Sequence, residues 1–168
     1  MVFTLVGWAE SQDTGGVLTN VAALKDPHVR VEGDYIVVPT LNRLLGAMAL
    51  GANINNARIA TPSLRKVAEL TINPLNQAAE PLSPPAFVDL FERPIELVTG
   101  EQMEAKVSET ASGAEYEVVL AWLGDGAITR YTGPFYTVKA TGTTTLTAYE
   151  WTNVEITFEQ TLPAGRYQ

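Results

Sequence analysis

The chain has 168 residues, 46% hydrophobic and 18% charged, with no cysteine and a formal net charge of −8 at pH 7. The lack of cysteine excludes disulfide frameworks, thiolate metal sites and cysteine nucleophiles, and the excess of acids sets the chain against direct packaging of nucleic acid, whose phosphates it repels. At this length about 70% of the unfolded surface can be buried, so one domain over residues 1–168, held by packing alone, is expected.

A first strand is predicted over residues 2–9, ending at the polar loop Glu10-Ser11-Gln12-Asp13-Thr14-Gly15-Gly16. Met1-Val2-Phe3-Thr4 lacks the basic start of a signal peptide. Residues 17–24 suit either a short helical turn or a strand, closed at Asp26-Pro27 because the residue before proline is pushed out of the helical region. A hairpin follows over 28–38: Val29 and Val31 alternate with Arg30 and Glu32, Gly33-Asp34 turns, and Tyr35-Ile36-Val37-Val38 returns.

Helix and strand compete over 41–52. Thr40 as N-cap and Leu41, Leu44, Leu45 and Met48 at helical spacing favour one short helix in the first two turns, although Gly46 and Gly51 each cost about 1 kcal/mol in a helix interior. The longest apolar run, 44–52, is far below the roughly 20 residues needed to cross a bilayer. Strands are predicted over 54–59 and 67–72, separated by the turn Thr61-Pro62-Ser63.

Residues 73–94 hold Pro74, Pro81, Pro84, Pro85 and Pro94, five of the ten prolines. Such a stretch between strands reads as an interface loop of a continuous domain. Its prolines let it present Leu82, Phe87, Leu90 and Phe91 to a neighbouring subunit at low entropy cost.

Further strands are predicted over 95–98 and 102–108, the second with Met103, Ala105 and Val107 alternating with Glu104, Lys106 and Ser108. Val118-Val119-Leu120-Ala121-Trp122-Leu123 is apolar on both faces and stops at Gly124-Asp125-Gly126, the pattern of a buried central strand. Strands over 135–140 and 151–158 complete the set, with Val154, Ile156 and Phe158 alternating with Glu155 and Thr157. The sum is an all-β jelly-roll sandwich of about eight strands with long loops and one short helix. Gly165-Arg166-Tyr167-Gln168 reads as the opening of a strand, either very short or continued in a longer natural polypeptide. If it is cut short, its neighbour near Val118 or Val154 is expected to keep an open edge.

Little catalytic chemistry is legible. Asp13-Thr14-Gly15 matches the aspartic-protease triplet, but the polar Glu10-Ser11-Gln12 before it gives none of the desolvation that separates two carboxyl pKa values, so a turn is expected. His28, the single histidine, follows a proline and reads as a surface residue, not a metal ligand or triad member. Asp125 between two glycines is turn chemistry before it is a calcium loop. Glu101, Glu104, Glu109, Glu115 and Glu117 read as the wet face of a sheet, with nothing selecting a glycosidase pair among them. Trp122 is expected in the core and Trp151 on the surface. No catalytic, cofactor-binding or metal-binding residue is assigned, and no cofactor or small-molecule substrate is expected.

Asn42-Arg43-Leu44-Leu45-Gly46-Ala47, Ala57-Arg58-Ile59-Ala60-Thr61-Pro62-Ser63-Leu64-Arg65, Trp122-Leu123-Gly124-Asp125-Gly126 and Leu162-Pro163-Ala164-Gly165-Arg166-Tyr167 carry a resemblance. In them the chain resembles the jelly-roll virion proteins of tailless icosahedral bacterial viruses, and is similar to their double-jelly-roll major capsid proteins. The resemblance implies a non-enzymatic capsid protein located in the virion. Its partners would be further copies of itself, as trimers or capsomers, and other capsid proteins. Contact with an internal membrane would be compatible, and direct nucleic-acid binding is not expected. Those proteins are about twice as long, so the chain would be a single-barrel member or one half of a double barrel. The alternative is a carbohydrate-binding or adhesin-like β-sandwich using Trp151 or the region of Tyr131 and Tyr136; a small hydrolase using acidic residues ranks below both.

Overall fold

The computed structural model describes residues 2–62, 69–77, 86–109 and 115–126, and the backbone of 138–140 and 156–158. The strands in chain order are β1 (Phe3–Gln12), β2 (Thr19–Asn20), β3 (Val31–Glu32), β4 (Tyr35–Val37), β5 (Arg43–Gly51), β6 (Ile54–Ala60), β7 (Leu70–Ile72), β8 (Leu75–Asn76), β9 (Val88–Asp89), β10 (Ile95–Glu96), β11 (Gln102–Glu109), β12 (Glu115–Gly124), β13 (Val138–Ala140) and β14 (Ile156–Phe158). The fold is all-β, two antiparallel sheets packed as a sandwich. Sheet 1 runs β1-β12-β5-β10, with β8 and β9 also on β5; sheet 2 runs β3-β4-β11-β6-β7, with β2 on β11. β5 with β8 is a parallel pair, and β13 pairs with β14. More strands form than the eight or so expected, because the loops contribute two- and three-residue strands.

The expected helix at 41–52 is a strand, β5, the centre of sheet 1. One edge pairs with β12 along Leu44 to Gly51. The other receives three short strands in succession: Ile95 opposite Leu44, Val88 opposite Ala47 and Leu75 beside Leu50. Two flanking ladders outweigh the small propensity advantage of a helix already weakened by two glycines. The proline-rich stretch thus supplies β8 and β9, which stay short where proline cannot donate to a ladder.

β1 also continues through Glu10, Ser11 and Gln12, expected as loop, because β12 offers partners as far as Glu115. Residues 17–24 take the extended alternative: β2 joins β11, and Ala23 bridges Trp8. The hairpin of β3 and β4 turns at Gly33, whose φ of 63° suits a residue without a Cβ. β12 is central, between β1 and β5, so the strand around Val118 has no open edge. Val154, Trp151 and residues 165–168 lie outside the described residues.

The core lies between the sheets. Val6 and Trp8 of β1, Ala47 and Ala49 of β5 and Val119 of β12 meet Ile36, Ile59, Ala105 and Val107 of sheet 2. Trp8 ties the layers further, its indole Nε1 donating to the Asp34 carbonyl of the β3–β4 turn at 3.1 Å.

The sheets interlock at one end. β5 passes to β6 through Ala52 and Asn53, leaving sheet 1 for sheet 2, while β11 passes to β12 in the reverse direction. Gly51 stands opposite Glu117 and Ile54 opposite Glu109. The last residue of β11 and the third of β12 therefore meet at the inside of one corner.

Candidate functional site

The two outer faces differ in character. On β12, Glu117, Val119, Ala121 and Leu123 are buried toward the core, so Tyr116, Val118, Leu120 and Trp122 point outward. In register with them are Ser11, Ala9, Gly7 and Leu5 of β1, and Leu50, Met48 and Gly46 of β5 opposite Val118, Leu120 and Trp122. None of these outward positions carries a charge. Tyr116 is 49% exposed, and Phe3, at the start of β1, is also exposed.

β9 anchors an aromatic cluster on this face. The Leu90 N–H donates to the Leu45 carbonyl at 2.9 Å, and Asp89 Oδ1 accepts from the Phe91 N–H at 3.0 Å. Phe87 is thereby laid over Gly46, where an added Cβ would collide with its ring and lie 2.8 Å from the Val88 carbonyl oxygen. Phe87 meets Trp122 edge-on, centroids 5.1 Å apart at 87°, and Phe91 at 5.4 Å and 43°. Phe87 remains 38% exposed. Leu90 and Phe91 are half-buried, Leu90 against the core, and Leu82 lies outside the described residues. Trp122 was expected in the core; it stands half-buried on the outer face, and among the described residues the fully buried tryptophan is Trp8.

The outer face of sheet 2 is polar and ion-paired. Lys106 Nζ lies 3.0 Å from Glu104 Oε1 and 3.8 Å from Glu69 Oε1, and Arg58 Nη1 lies 3.4 Å from Glu69 Oε2. Asn20 Nδ2 donates to Glu104 Oε2 at 3.3 Å and Asn56 Nδ2 to Ser108 Oγ at 3.1 Å. Of the acids expected on a wet face, Glu104 lies on this outer face but is buried beneath Lys106.

Glu109 and Glu117 depart from that expectation altogether. They point into the interlocked corner with exposures of 1% and 0%. Glu109 is held in a reciprocal clamp: Thr14 N–H donates to its Oε2 at 3.1 Å, and its own N–H donates to Thr14 Oγ1 at 2.7 Å. Neither oxygen of Glu117, nor Oε1 of Glu109, receives an N–H or a hydroxyl from another residue. Burial first, then the hydrogen bond with Glu109 and the charges of Glu109 and Glu115, push the Glu117 carboxyl from the ordinary 4.5 up to about 8. Sequence reading missed this pair, yet parity marks it: Glu117 shares its phase with Val119, Ala121 and Leu123, and Glu109 with Met103, Ala105 and Val107.

The remaining candidates are turn residues. Asp13 Oδ1 accepts from the Gly15 N–H at 3.1 Å, closing a polar turn. His28 is exposed, its N–H donating to Asp26 Oδ1 at 2.7 Å. Asp125 Oδ1 accepts from the Val2 N–H at 3.2 Å, fastening the start of β1 to the end of β12. Among the described residues no group of three or more acids or histidines is placed to hold a metal ion, and no helix is long and apolar enough to cross a membrane. No protein-family model matches the chain, and no curated protein or solved structure is significantly similar to it.

Proposed function

We propose that this chain is a structural subunit that works by self-association through the outer face of sheet 1, as a capsid protein of a virion shell. The observation that carries the self-association is the contrast between the two faces. Sheet 2 presents paired charges, whereas the three long strands of sheet 1 present an uncharged row that includes Trp122, Tyr116 and Met48, with Phe87 and Phe91 beside it. Depletion of charge with enrichment in aromatics and methionine is the composition of an interface centre, and a contiguous apolar face is unusual on a chain that acts alone. A second copy fits, because a twofold contact lays one apolar row on its equal. The rim carries both signs, with Glu92 and Arg93 exposed and Arg43 opposite Glu96, so two copies can match acid to base there despite the net charge. The virion assignment adds the sequence resemblance to the β-sandwich.

Light scattering on the wild type and on a Phe87→Ser/Phe91→Ser variant, with a glycan array in parallel, tests this reading. An oligomer that the double substitution dissociates, with little change in melting temperature, supports it. A strictly monomeric wild type that binds a glycan saturably would replace it with the carbohydrate-binding alternative. Trp151, Tyr131 and Tyr136, on which that alternative rests, lie outside the described residues.

A further inference from the structure

We propose that Glu109 and Glu117 form a proton-held latch: one proton kept between the two buried carboxyls closes the interlocked corner, and its loss to solvent drives Glu117 outward and opens that corner. The proposal is independent of the self-association reading.

Among the described residues the surroundings leave no other means of neutralising the pair. Facing Glu117 are Glu10, opposite it on β1, Glu115 on its own strand and Glu109 from β11. β5 contributes Gly51 and β6 contributes Ile54, both without charge. The loop after β1 contributes Thr14 with Asp13 beside it. Glu10 Oε2 accepts from the Ala22 N–H at 3.0 Å, and Glu115 Oε1 accepts from Asn53 Nδ2 at 3.2 Å. Among the described residues every titratable group here is an acid, and no lysine or arginine is among them. Two desolvated carboxylates without a cation repel each other strongly, so a shared proton is the arrangement compatible with their burial.

The geometry also sets which partner moves. Thr14 clamps Glu109 at both its side chain and its backbone. Glu117 has no such tether and is the last β12 residue paired with β5 at this end, with two further residues, Tyr116 and Glu115, paired on to β1. Ladder ends open locally at small cost. The carboxyl of Glu117 also lies over the Gly51 backbone, where an added Cβ would meet its three terminal atoms at 2.7 to 2.9 Å, so movement toward β5 is blocked. A group whose proton is held to about 8 when closed, against 4.5 when solvated, makes opening rise about tenfold per pH unit between those values and level off above.

Infrared spectroscopy of the wild-type chain reads the proton directly. Near neutral pH a protonated carboxyl stretch should be present; it should titrate away around pH 8 and be absent from Glu117→Gln. Hydrogen exchange reads the opening. After division by intrinsic rates, exchange at the amides of Thr14 and Glu109 should rise about tenfold per unit between about pH 6 and about pH 8 in the wild type, and stay level in Glu117→Gln. A wild type without the protonated carboxyl band near neutral pH would overturn the latch. Equal pH slopes in the wild type and Glu117→Gln would overturn it as well, and the infrared result stands even if a variant does not fold.

Discussion

The backbone of Gly51 lies directly against the carboxyl of Glu117, with the space for a methyl group already filled by Oε2, 2.7 Å from where a Cβ would stand. The glycine that weakens a helical reading of 41–52 is thus required by the strand, because it makes room for a buried acid. Gly51→Ala should destabilise by about 1–3 kcal/mol through overpacking. In a Glu117→Ala background the same change should cost much less, so a double-mutant cycle by urea unfolding should give a coupling of at least about 0.5 kcal/mol.

The same carboxyl sets a pH dependence. Its pKa is raised from 4.5 to about 8, so between those values the folded chain holds a proton that the unfolded chain has released. Stability is then fully present below about 4.5, falls as pH rises through about 8, and is level beyond. Urea midpoints measured from about pH 5 to about pH 9 should show this decline as the difference between the wild type and Glu117→Gln, whose amide has no proton to lose.

Trp8 links the sheets by packing and by one hydrogen bond. Trp8→Phe keeps an aromatic ring but leaves the Asp34 carbonyl without the indole donor, for an expected loss of about 1–3 kcal/mol. Equilibrium unfolding measures the loss, and faster hydrogen exchange in β3 and β4 would locate it at the hairpin.

Two ion pairs of sheet 2 should differ in worth. Lys106 is three-quarters covered and faces a Glu104 side chain only 4% exposed, whereas Arg30, paired with Glu32, is 74% exposed. Lys106→Met should cost about 1–2 kcal/mol by leaving a buried carboxylate short of its cation, and Arg30→Ala about 0–0.5 kcal/mol. Thermal unfolding of the two variants side by side distinguishes them.

Legibility in the sequence tracked how clean the alternation was. The hairpin around Gly33 and strand β11 were readable because polar and apolar residues alternate there. β5 was not: it is apolar on both faces, and an extra residue, Leu45, bulges opposite the Trp122–Leu123 step. Period two is therefore broken, and Leu41, Leu44, Leu45 and Met48 imitate a helix. The two apolar faces of β12 likewise concealed which side Trp122 takes. The acid pair was hidden by composition, since glutamates near one another suggest solvent, while their register with Val119 and Val107 places them inside. The outer face of sheet 1 needed the structure, because Leu5, Leu120 and Met48 become neighbours only through strand pairing.

The most direct test of self-association through sheet 1 is sedimentation velocity on the wild type, Leu120→Lys, and a control, Thr71→Lys, on exposed β7 of sheet 2. A lysine at the outward Leu120 can lay its stem along the face and keep its ammonium in water, so the fold should tolerate it. The wild type and Thr71→Lys should sediment as oligomers and Leu120→Lys as a folded monomer. A monomeric wild type, or a Leu120→Lys chain that stays as associated as the wild type, would contradict it.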